Sequence, residues 1–229
     1  MHLNRINAPK NWNIKRKSSK WIVRPSPGSH SINRCLPLSI IIRDILGYAD
    51  TVRESKKILH NKEILINKKP VTNHRSSVGI MDILEINKAG KFFIMAITEK
   101  NHLTLKEINK EQANQKISKI INKIPLKGGK IQVNCHDTNT FVLKDKKEDK
   151  YTIGDSVIFD LNTKKVVKHL KLEKGAVVYL LAGKYVGKKG IVNEIIKKKY
   201  HQDVVSMTIG KEEAKTLKNY TIVIEDKAI

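Results

Sequence analysis

The strongest constraint on the fold of this chain is a pair of β-type runs separated by a short loop of glycine and lysine. The runs are Val177–Leu181 and Gly190–Ile195, and together they predict a hairpin. Gly183 and Gly187 lie in the loop, where glycine allows a positive φ and a close approach to a partner. The loop also carries Lys184, Lys188 and Lys189. Because these charges favour a polyanion, we interpret the loop as a contact with folded RNA rather than as a place for covalent chemistry.

The charge of the whole chain supports the same interpretation. Its 229 residues contain 45 Lys and Arg against 22 Asp and Glu, which gives a net charge of +23. A lysine-rich solvated surface is the alternative. So large an excess is nevertheless typical of nucleic-acid binding, whose affinity falls steeply with salt.

The basic excess is concentrated in the first 34 residues, which contain eight basic side chains and no acidic one. Three prolines in this stretch oppose both helix and sheet. We therefore interpret residues 1–34 as a basic arm that becomes ordered on binding RNA. Its candidate RNA contacts are Arg5, Lys10, Lys15, Arg16, Lys17, Lys20, Trp21, Arg24, His30 and Arg34.

Two tryptophans stand in the arm without an apolar stripe around them. Trp12 and Trp21 could each anchor the arm to the folded body or stack on a base or ribose of the RNA. We favour anchoring for Trp12 and leave both interpretations open for Trp21.

Residues 35–90 predict two short helices backed by a small sheet. Apolar residues recur at helical spacing from Leu38 to Leu46, and a second helix begins at Thr51 with Glu54 at the capping-box position. The candidate phosphate contacts of this part are Arg43, Arg53, Lys56, Lys57, His60, Lys68, Lys69 and Arg75. For any single residue a solvated polar face is an equal alternative, but phosphate contact is favoured for the helical set as a whole.

The rest of the chain predicts mostly short strands. A short helix is expected over 109–116, with Gln112 at the capping-box position. Strands are expected near 131–133, 141–143, 156–159, 166–170, 204–209 and 221–225. The pattern predicts a central β domain over 91–170 and an SH3-like barrel over 171–229. The lysine run 197–199 has less weight as an RNA contact, because many surface turns carry such a run.

Several chemistries have no support in the sequence. Cys35 and Cys135 lack metal-ligand spacing, so zinc is not indicated and both are expected to be buried free thiols of an intracellular protein. The sequence shows neither a secretory signal nor an apolar run of membrane-spanning length, so we expect a soluble chain. His136 and Asp137, with Asp155 further on, lack the convergent groups that catalysis requires. We expect Asp137 to hold backbone amides in a turn.

Seven segments occur in a fixed order over nearly the whole chain. They are HLNRINAPKNWNIKRK (His2–Lys17), KWIVRPSPGSHSI (Lys20–Ile32), PLSIIIRDIL (Pro37–Leu46), VGIMDILEI (Val78–Ile86), KGGKIQVNCHD (Lys127–Asp137), YTIGDSV (Tyr151–Val157) and AGKYVGKKGIV (Ala182–Val192). In this order they resemble the archaeal and eukaryotic family of small-subunit ribosomal protein four, the S4e family. A single glycine loop would be weak evidence, whereas the ordered set is specific.

The resemblance implies an α+β, multi-domain fold. Its parts would be a basic N-terminal arm (1–34), a small two-helix plus sheet RNA-binding domain (35–90), a central β domain (91–170) and a C-terminal SH3-like KOW barrel (171–229). It implies a non-catalytic structural constituent of the small ribosomal subunit in the cytoplasm, bound to small-subunit ribosomal RNA and to neighbouring ribosomal proteins. It also implies no cofactor, no metal, no small-molecule substrate, no membrane partner and no obligate homo-oligomer.

The sequence departs from the family pattern at three places. Asn67–Lys68 replaces the usual Asp-Gly or Asn-Gly of a hairpin. We expect a turn other than type I′ there, the alternative being a phosphate contact by Lys68. Thr138 replaces a usual glycine, so that loop is expected to differ in shape. The sequence also starts directly at the histidine motif, without the longer basic leader of many relatives.

Two other functions remain open. A transcription elongation factor can carry a KOW barrel, but it would need a preceding mixed α/β domain that the pattern does not predict. An RNA-modifying enzyme would need an acidic catalytic residue. Asp44 does not meet this requirement, because the catalytic aspartate of pseudouridine synthases lies in a separate domain that this chain is too short to contain. Neither alternative explains the acid-free arm.

Overall fold

Antiparallel β-sheet dominates the computed structural model, which describes residues 2–143, 149–210 and 212–225. The chain divides into a first unit that extends to Lys116 and a second unit that begins at Ile117. The expectation of a multi-domain chain rich in short strands is therefore confirmed. The described helices are all short, and none has the length and apolar composition that crossing a membrane requires.

In the part of the first unit that the structure describes there are nine strands in three sheets. The strands are β1 (Leu3–Asn4), β2 (Trp21–Ile22), β3 (Cys35–Pro37), β4 (Ile64–Ile66), β5 (Lys69–Pro70), β6 (Ser77–Gly79), β7 (Ile83–Ile86), β8 (Lys91–Ile97) and β9 (Leu103–Ile108). β1 pairs with β2, β3 pairs with β6, and the largest sheet has the order β5-β4-β7-β8-β9. β8 pairs along β7, so residues that the sequence analysis grouped with a central domain extend the sheet of this unit. The division into four parts otherwise remains a prediction.

Two helical segments of this unit contact each other. The first has an α-helical turn, α1 (Leu38–Ile40), and continues as a π-helix over Ile41–Ile45. The second, α2 (Val52–His60), begins with the predicted capping box, in which the amide of Glu54 donates to Oγ1 of Thr51 at 3.2 Å. Short 3₁₀ turns occur at Arg5–Asn7, Ile32–Arg34, Asn87–Ala89, Gln112–Asn114, Lys127–Gly129 and Lys218–Tyr220.

The arm is packed against the first unit through its own contacts. Trp12 is only 1% exposed, and the amide of Leu103 on β9 donates to the carbonyl of Asn11 at 2.9 Å. The anchoring role predicted for Trp12 is therefore confirmed. The low strand propensity of this proline-rich stretch is offset by burial of its few apolar side chains, including Ala8 and Ile22.

A buried carboxylate, Asp82, connects the arm to the sheet. One of its oxygens lies 2.6 Å from Nζ of Lys116 and accepts from the side-chain amide of Asn67 at 2.9 Å. The other lies 3.0 Å from Nε2 of His30 and accepts from the amide of Gly79 at 2.7 Å. The side chain of His30 is 4% exposed and holds the arm in place through this contact, while its predicted RNA contact stays a prediction.

The electrostatics of this cluster are dominated by its positive partners. Burial by itself would raise the pKa of the Asp82 carboxyl. Lys116 first, and then His30 and Asn67, outweigh burial and hold that pKa well below its usual range. Burial, helped by the charge of Asp82, raises the pKa of the neighbouring Cys35 thiol to about 11. Cys35 and Cys135 are both free and buried, as expected from the sequence.

Two local predictions require correction, and the different shape expected for the Thr138 loop stays a prediction. The expected helix over 109–116 is only the 3₁₀ turn Gln112–Asn114, although the Gln112 side chain accepts from the amide of Asn109 at 3.2 Å as in a capping box. Asn67 and Lys68 both have positive φ, at 50° and 64°, as a type I′ turn requires. The strain is compensated because Asn67 bonds into the Asp82 cluster. Thr138 has a φ of 62°, the left-handed conformation that a glycine would adopt freely.

Over its described residues the second unit contains ten strands in two sheets, the first strand beginning two residues before the unit. They are β10 (Gln115–Pro125), β11 (Ile131–Cys135), β12 (Thr140–Leu143), β13 (Ser156–Asp160), β14 (Val166–Leu170), β15 (Val177–Leu180), β16 (Lys189–Ile196), β17 (Val204–Ile209), β18 (Glu212–Leu217) and β19 (Thr221–Val223). The sheet orders are β12-β11-β10-β13-β14 and β18-β17-β16-β15-β19. Each sheet has its own apolar core, one around Val133 and Val157 and the other around Val178 and Val205.

Hydrogen bonds of buried polar groups connect the two sheets of the second unit. Nζ of Lys119 donates to the carbonyls of Lys218 and Thr221, each at 2.7 Å. The hydroxyl of Ser156 accepts from the amide of Val223 at 3.0 Å. Asp137 accepts from the amide of Asn139, which confirms its predicted role in a turn.

Gly79 is the point at which the packing of the arm is most sensitive to a side chain, because a Cβ there would overlap the ring of His30. We expect Gly79→Ala to lower the free energy of unfolding by about 1–3 kcal/mol, the usual cost of overpacking. Urea unfolding of the single variants and of the Gly79→Ala/His30→Ala double variant measures this effect. In the His30→Ala background the added methyl has room, so its cost should largely disappear. An equal cost in both backgrounds would contradict the contact.

Candidate nucleic-acid interface

The arm and the loop after β5 enclose a cavity of about 500 Å³ that contains two of the predicted RNA contacts, Arg24 and Arg75. Its remaining lining residues are Pro25, Ser26, Pro27, His30 and Ile32. The amide of Ser26 donates to the carbonyl of Arg75 at 2.8 Å, which joins the two walls. Two arginines that are 51 positions apart in the sequence therefore share one site.

The loop wall is fixed by a turn at Asn73. The side-chain oxygen of Asn73 accepts from the amide of Arg75 at 2.9 Å, and its carbonyl accepts from the amide of Ser76 at 3.1 Å. The carbonyls of His74 and Ser76 accept from the first amides of the α1 segment, those of Ser39 and Leu38. The loop thus satisfies donors that a helix start leaves unpaired, and this explains its position beside the helices.

His74, which is not among the residues predicted from the sequence, lies next to the cavity residue Arg75 in the chain. Burial, together with the charges of Lys56 on α2 and of Arg75, lowers its pKa. Lys56 of α2 and Arg75 of the loop are therefore both close enough to act on this imidazole. The sequence offered one signal for His74, its adjacency to Arg75. The proximity of Lys56 to His74 depends on the fold and could not be read from the sequence.

The other predicted cations of the helical part differ in accessibility. Arg53, Lys57 and His60 are exposed on α2 together with Lys56. Arg43 instead forms a two-pronged ion pair with Asp44, with both distances at 2.8 Å. This hydrogen bonding raises the pKa of the Arg43 guanidinium. Four of these five basic side chains therefore form one exposed face of α2, and the fifth is already paired.

Lys68 and Lys69 lie side by side at the β4–β5 turn but in different surroundings. Nζ of Lys68 lies 2.9 Å from Glu85 and 5.5 Å from the centre of the Phe92 ring. Lys69 is exposed. The contacts of Lys68 lie within the sheet and do not support the alternative of a phosphate contact.

The arm separates into internal and external cations. Arg5 has a side chain that is 7% exposed, hydrogen bonds to Ser18 and lies 3.8 Å from Asp44. Arg16 donates to the carbonyls of Ala8 and Pro9, at 2.9 and 2.8 Å. Arg16 therefore holds the arm's own backbone, and Arg5 holds the arm through the side chains of Ser18 and Asp44. The exposed cations of the arm are Lys10, Lys15, Lys17, Lys20 and Arg34.

Trp21 remains on the surface, in contrast to Trp12. Its side chain is 52% exposed, its ring centre lies 5.4 Å from that of His2, and Nζ of Lys20 lies 5.3 Å from the ring. An exposed aromatic ring beside a lysine is the arrangement in which a base can stack and its phosphate can be neutralised.

The glycine loop of the second unit is a tight, hydrogen-bonded turn between β15 and β16. Gly183 and Gly187 have φ of 94° and 77°, and the amide of Gly187 donates to the carbonyl of Leu180 at 2.8 Å. Lys184 and Lys189 are exposed, whereas Lys188 is half-buried. The loop therefore presents lysines from a fixed backbone and can bind an anion without further ordering.

These sites can bind phosphates, but they contain no arrangement for covalent chemistry. Within the part of the chain that the structure describes, no three His, Cys, Asp or Glu side chains come together as a metal site. Asp155 lies 2.8 Å from His169 but also accepts from the amides of Leu172 and Thr152. Burial would raise the pKa of Asp155, but these hydrogen bonds lower it overall, so the carboxylate has a structural role.

Three family profiles match successive parts of the chain. The profile described as "RS4NT (NUC023) domain" matches residues 1–33, "Ribosomal family S4e" matches residues 89–166, and "KOW motif" matches residues 174–207.

Full-length relatives and a solved structure agree with these matches. A "Small ribosomal subunit protein eS4" from Methanococcus aeolicus is 36% identical over 98% of this chain and 94% of its own length. The protein of the same name from Methanocaldococcus jannaschii is 34% identical, over 99% and 94%. The crystal structure of the 30S ribosomal protein S4e from Thermoplasma acidophilum superimposes with a TM-score of 0.73 at 29% identity, covering 83% of this chain and 95% of that one.

The pKa of His74 tests whether α2 and the loop form one basic site. We expect Lys56→Gln and Arg75→Gln each to raise that pKa, because each removes a cation that disfavours the imidazolium. Lys57→Gln removes the same charge from the same helix and serves as the matched control. Proton NMR titration of the imidazole, assigned with His74→Gln, provides the measurement. An equal rise in the Lys57 variant, or no rise in the other two, would show that the cations do not converge.

Proposed function

The chain belongs to the ribosomal S4e family, and we propose that it is a non-catalytic structural constituent of the small ribosomal subunit in the cytoplasm, where it binds and stabilises small-subunit ribosomal RNA. Relatives named as small ribosomal subunit proteins match it over nearly its full length. Neighbouring ribosomal proteins are its expected protein partners.

The finer division of the fold is part of the proposal. The helices α1 and α2, backed by the sheet, act as a small RNA-binding domain, and the sheet β18-β17-β16-β15-β19 acts as an SH3-like KOW barrel. The profile match over residues 174–207 supports the second assignment, because it spans β15 and β16 with the glycine loop.

The cavity shared by Arg24 and Arg75 is the observation that carries the proposal. A guanidinium presents a rigid fork of donors that matches a phosphate, and two of them in one cavity can hold consecutive phosphates of an RNA backbone. The other lining residues include prolines and Ile32 but no carboxylate that would repel the phosphates. Recognition of this kind reads the shape and backbone of folded RNA, with few contacts to base edges.

The proposed RNA surface is smaller than the set of residues predicted from the sequence. It keeps Lys10, Lys15, Lys17, Lys20, Trp21, Arg24, Arg34, Arg53, Lys56, Lys57, His60, Lys69, Arg75 and the loop from Gly183 to Lys189, and it adds His74. It omits Arg5, Arg16, His30, Arg43 and Lys68, because their contacts lie within the protein.

The two alternative functions gain no support from the structure. Asp44 is the aspartate considered above for an RNA-modifying enzyme. It is paired with Arg43 at 2.8 Å and lies 3.8 Å from Arg5. Both contacts lie within the protein, so this carboxylate already has structural partners. No feature favours a transcription elongation factor over the ribosomal constituent.

Replacing both cavity arginines tests the proposal. We expect Arg24→Gln/Arg75→Gln to weaken binding to protein-free small-subunit RNA and to reduce the slope of log K against log salt by about 1.5, the loss of two phosphate contacts. Filter binding at several potassium chloride concentrations measures both quantities. Lys100→Gln/Lys110→Gln, which removes the same charge from exposed positions outside the cavity, should change the slope much less.

Two results would contradict the proposal at different levels. Equal slopes for the two double variants would show that the cavity is not the RNA site. Failure of the unaltered chain to sediment with the small subunit after a high-salt wash of a cell lysate would contradict the ribosomal function itself.

A further inference from the structure

The turn between β16 and β17 carries a cluster of exposed basic and aromatic side chains outside the surface proposed above. The last paired residues of the two strands are Ile196 and Val204, so residues 197–203 extend beyond the ladder. The exposed members of the cluster are Lys197, Lys198, Lys199, Tyr200 and His201. Tyr200 is 84% exposed, more than any other large apolar or aromatic side chain among the described residues.

The charges of this turn are available to a partner. Among the described residues none forms an ion pair with the three lysines, and Nζ of Lys199 lies 5.7 Å from the centre of the Tyr200 ring. The acidic residue of the turn, Asp203, lies 3.6 Å from Nζ of Lys218, and its carbonyl accepts from the amide of Lys218 at 2.9 Å. Asp203 therefore fixes the base of the turn and does not neutralise its tip.

A solvated lysine turn would account for the charge but not for the aromatic ring. Tyr200 contributes no burial to the core, so the fold gains nothing from an aromatic residue at this position. Aromatic rings beside lysines are the usual platform for unpaired nucleotides, with stacking for the base and charge for the phosphate. A protein partner is less well matched, because lysine is depleted in protein–protein interfaces.

The position of the turn gives it a separate role from the glycine loop. The glycine loop precedes β16 and the turn follows it, so the two lie at opposite ends of an eight-residue strand. At the usual rise per residue the ends of β16 are about 25 Å apart. A contact at one end therefore cannot substitute for a contact at the other.

We propose that the turn formed by residues 197–201 is a second RNA contact, in which Tyr200 stacks on an unpaired nucleotide and the three lysines neutralise the flanking phosphates. Together with the glycine loop, it makes the C-terminal sheet a bridge between two segments of the RNA. The inference rests on the proposed function as an RNA-binding constituent of the small subunit.

Affinity for protein-free small-subunit RNA tests the contribution of the turn. We expect Tyr200→Ala to weaken binding about tenfold, the scale of one lost base stack, and Tyr200→Phe to retain most of the affinity. Lys198→Gln/Lys199→Gln should reduce the salt slope. Lys164→Gln/Lys165→Gln, in the exposed turn between β13 and β14, is the matched control without an adjacent aromatic ring and should behave like the unaltered chain.

Cleavage of the RNA from tethered probes tests the bridge directly. The two native cysteines are buried, so an introduced exposed cysteine can be labelled selectively with an iron chelate that generates hydroxyl radicals. Gln202→Cys reports on the turn and Ile191→Cys, on an exposed position of β16, reports on the glycine-loop end. We expect cleavage of two different RNA segments, with Tyr200→Ala weakening only the cleavage from position 202.

Each contrary outcome overturns the inference. Unchanged affinity of Tyr200→Ala, or cleavage from position 202 that is absent or identical to that from position 191, would exclude a second RNA contact. A loss seen only with complete subunits and not with protein-free RNA would assign the turn to a protein partner instead. The ribosomal function fails separately, if the unaltered chain does not bind the RNA or the subunit.

Discussion

The fold of the first unit depends on the buried carboxylate of Asp82. It contacts His30 of the arm, Asn67 of the β4–β5 turn, Gly79 of β6 and Lys116 at the end of the unit. A buried ion pair of this kind adds little net stability, but loss of one partner leaves a buried charge, so it selects one arrangement of the segments. Because the pKa of Asp82 is lowered on folding, its stabilising effect is present at neutral pH and is lost as the solution becomes strongly acidic.

The position of the basic cavity follows from this cluster. Once His30 is fixed, the preceding segment that includes Arg24 and Ser26 lies along the loop of Arg75, and the hydrogen bond between Ser26 and Arg75 closes the cavity. A site whose walls are already ordered avoids part of the entropy cost of binding. The sequence predicts an arm that becomes ordered on RNA, whereas in this structure the arm packs against β9 at Asn11 and Trp12, and its order in the free chain is a prediction.

Local patterns were the part of this structure that could be predicted from the sequence. The capping box of α2, the hairpin around the glycine loop and the turn at Asp137 depend on residues close together in the chain. The inward roles of Arg5 and His30 could not be predicted, because their partners, Asp44 and Asp82, are 39 and 52 positions away. The strand Glu212–Leu217 was also missed, since its sequence EEAKTL has low strand propensity and its pairing with β17 decides its conformation.

The central claim is that the arm and its cavity are formed in the free protein. Hydrogen exchange of the isolated full-length chain at neutral pH, followed by NMR, tests it most directly. The amides of Ser26 and Leu103, which bond the arm to the rest of the first unit, should be protected nearly as well as those of the β7–β8 ladder. Exchange of these two amides at the rate of an unfolded peptide, while the β7–β8 ladder stays protected, would contradict a preformed interface.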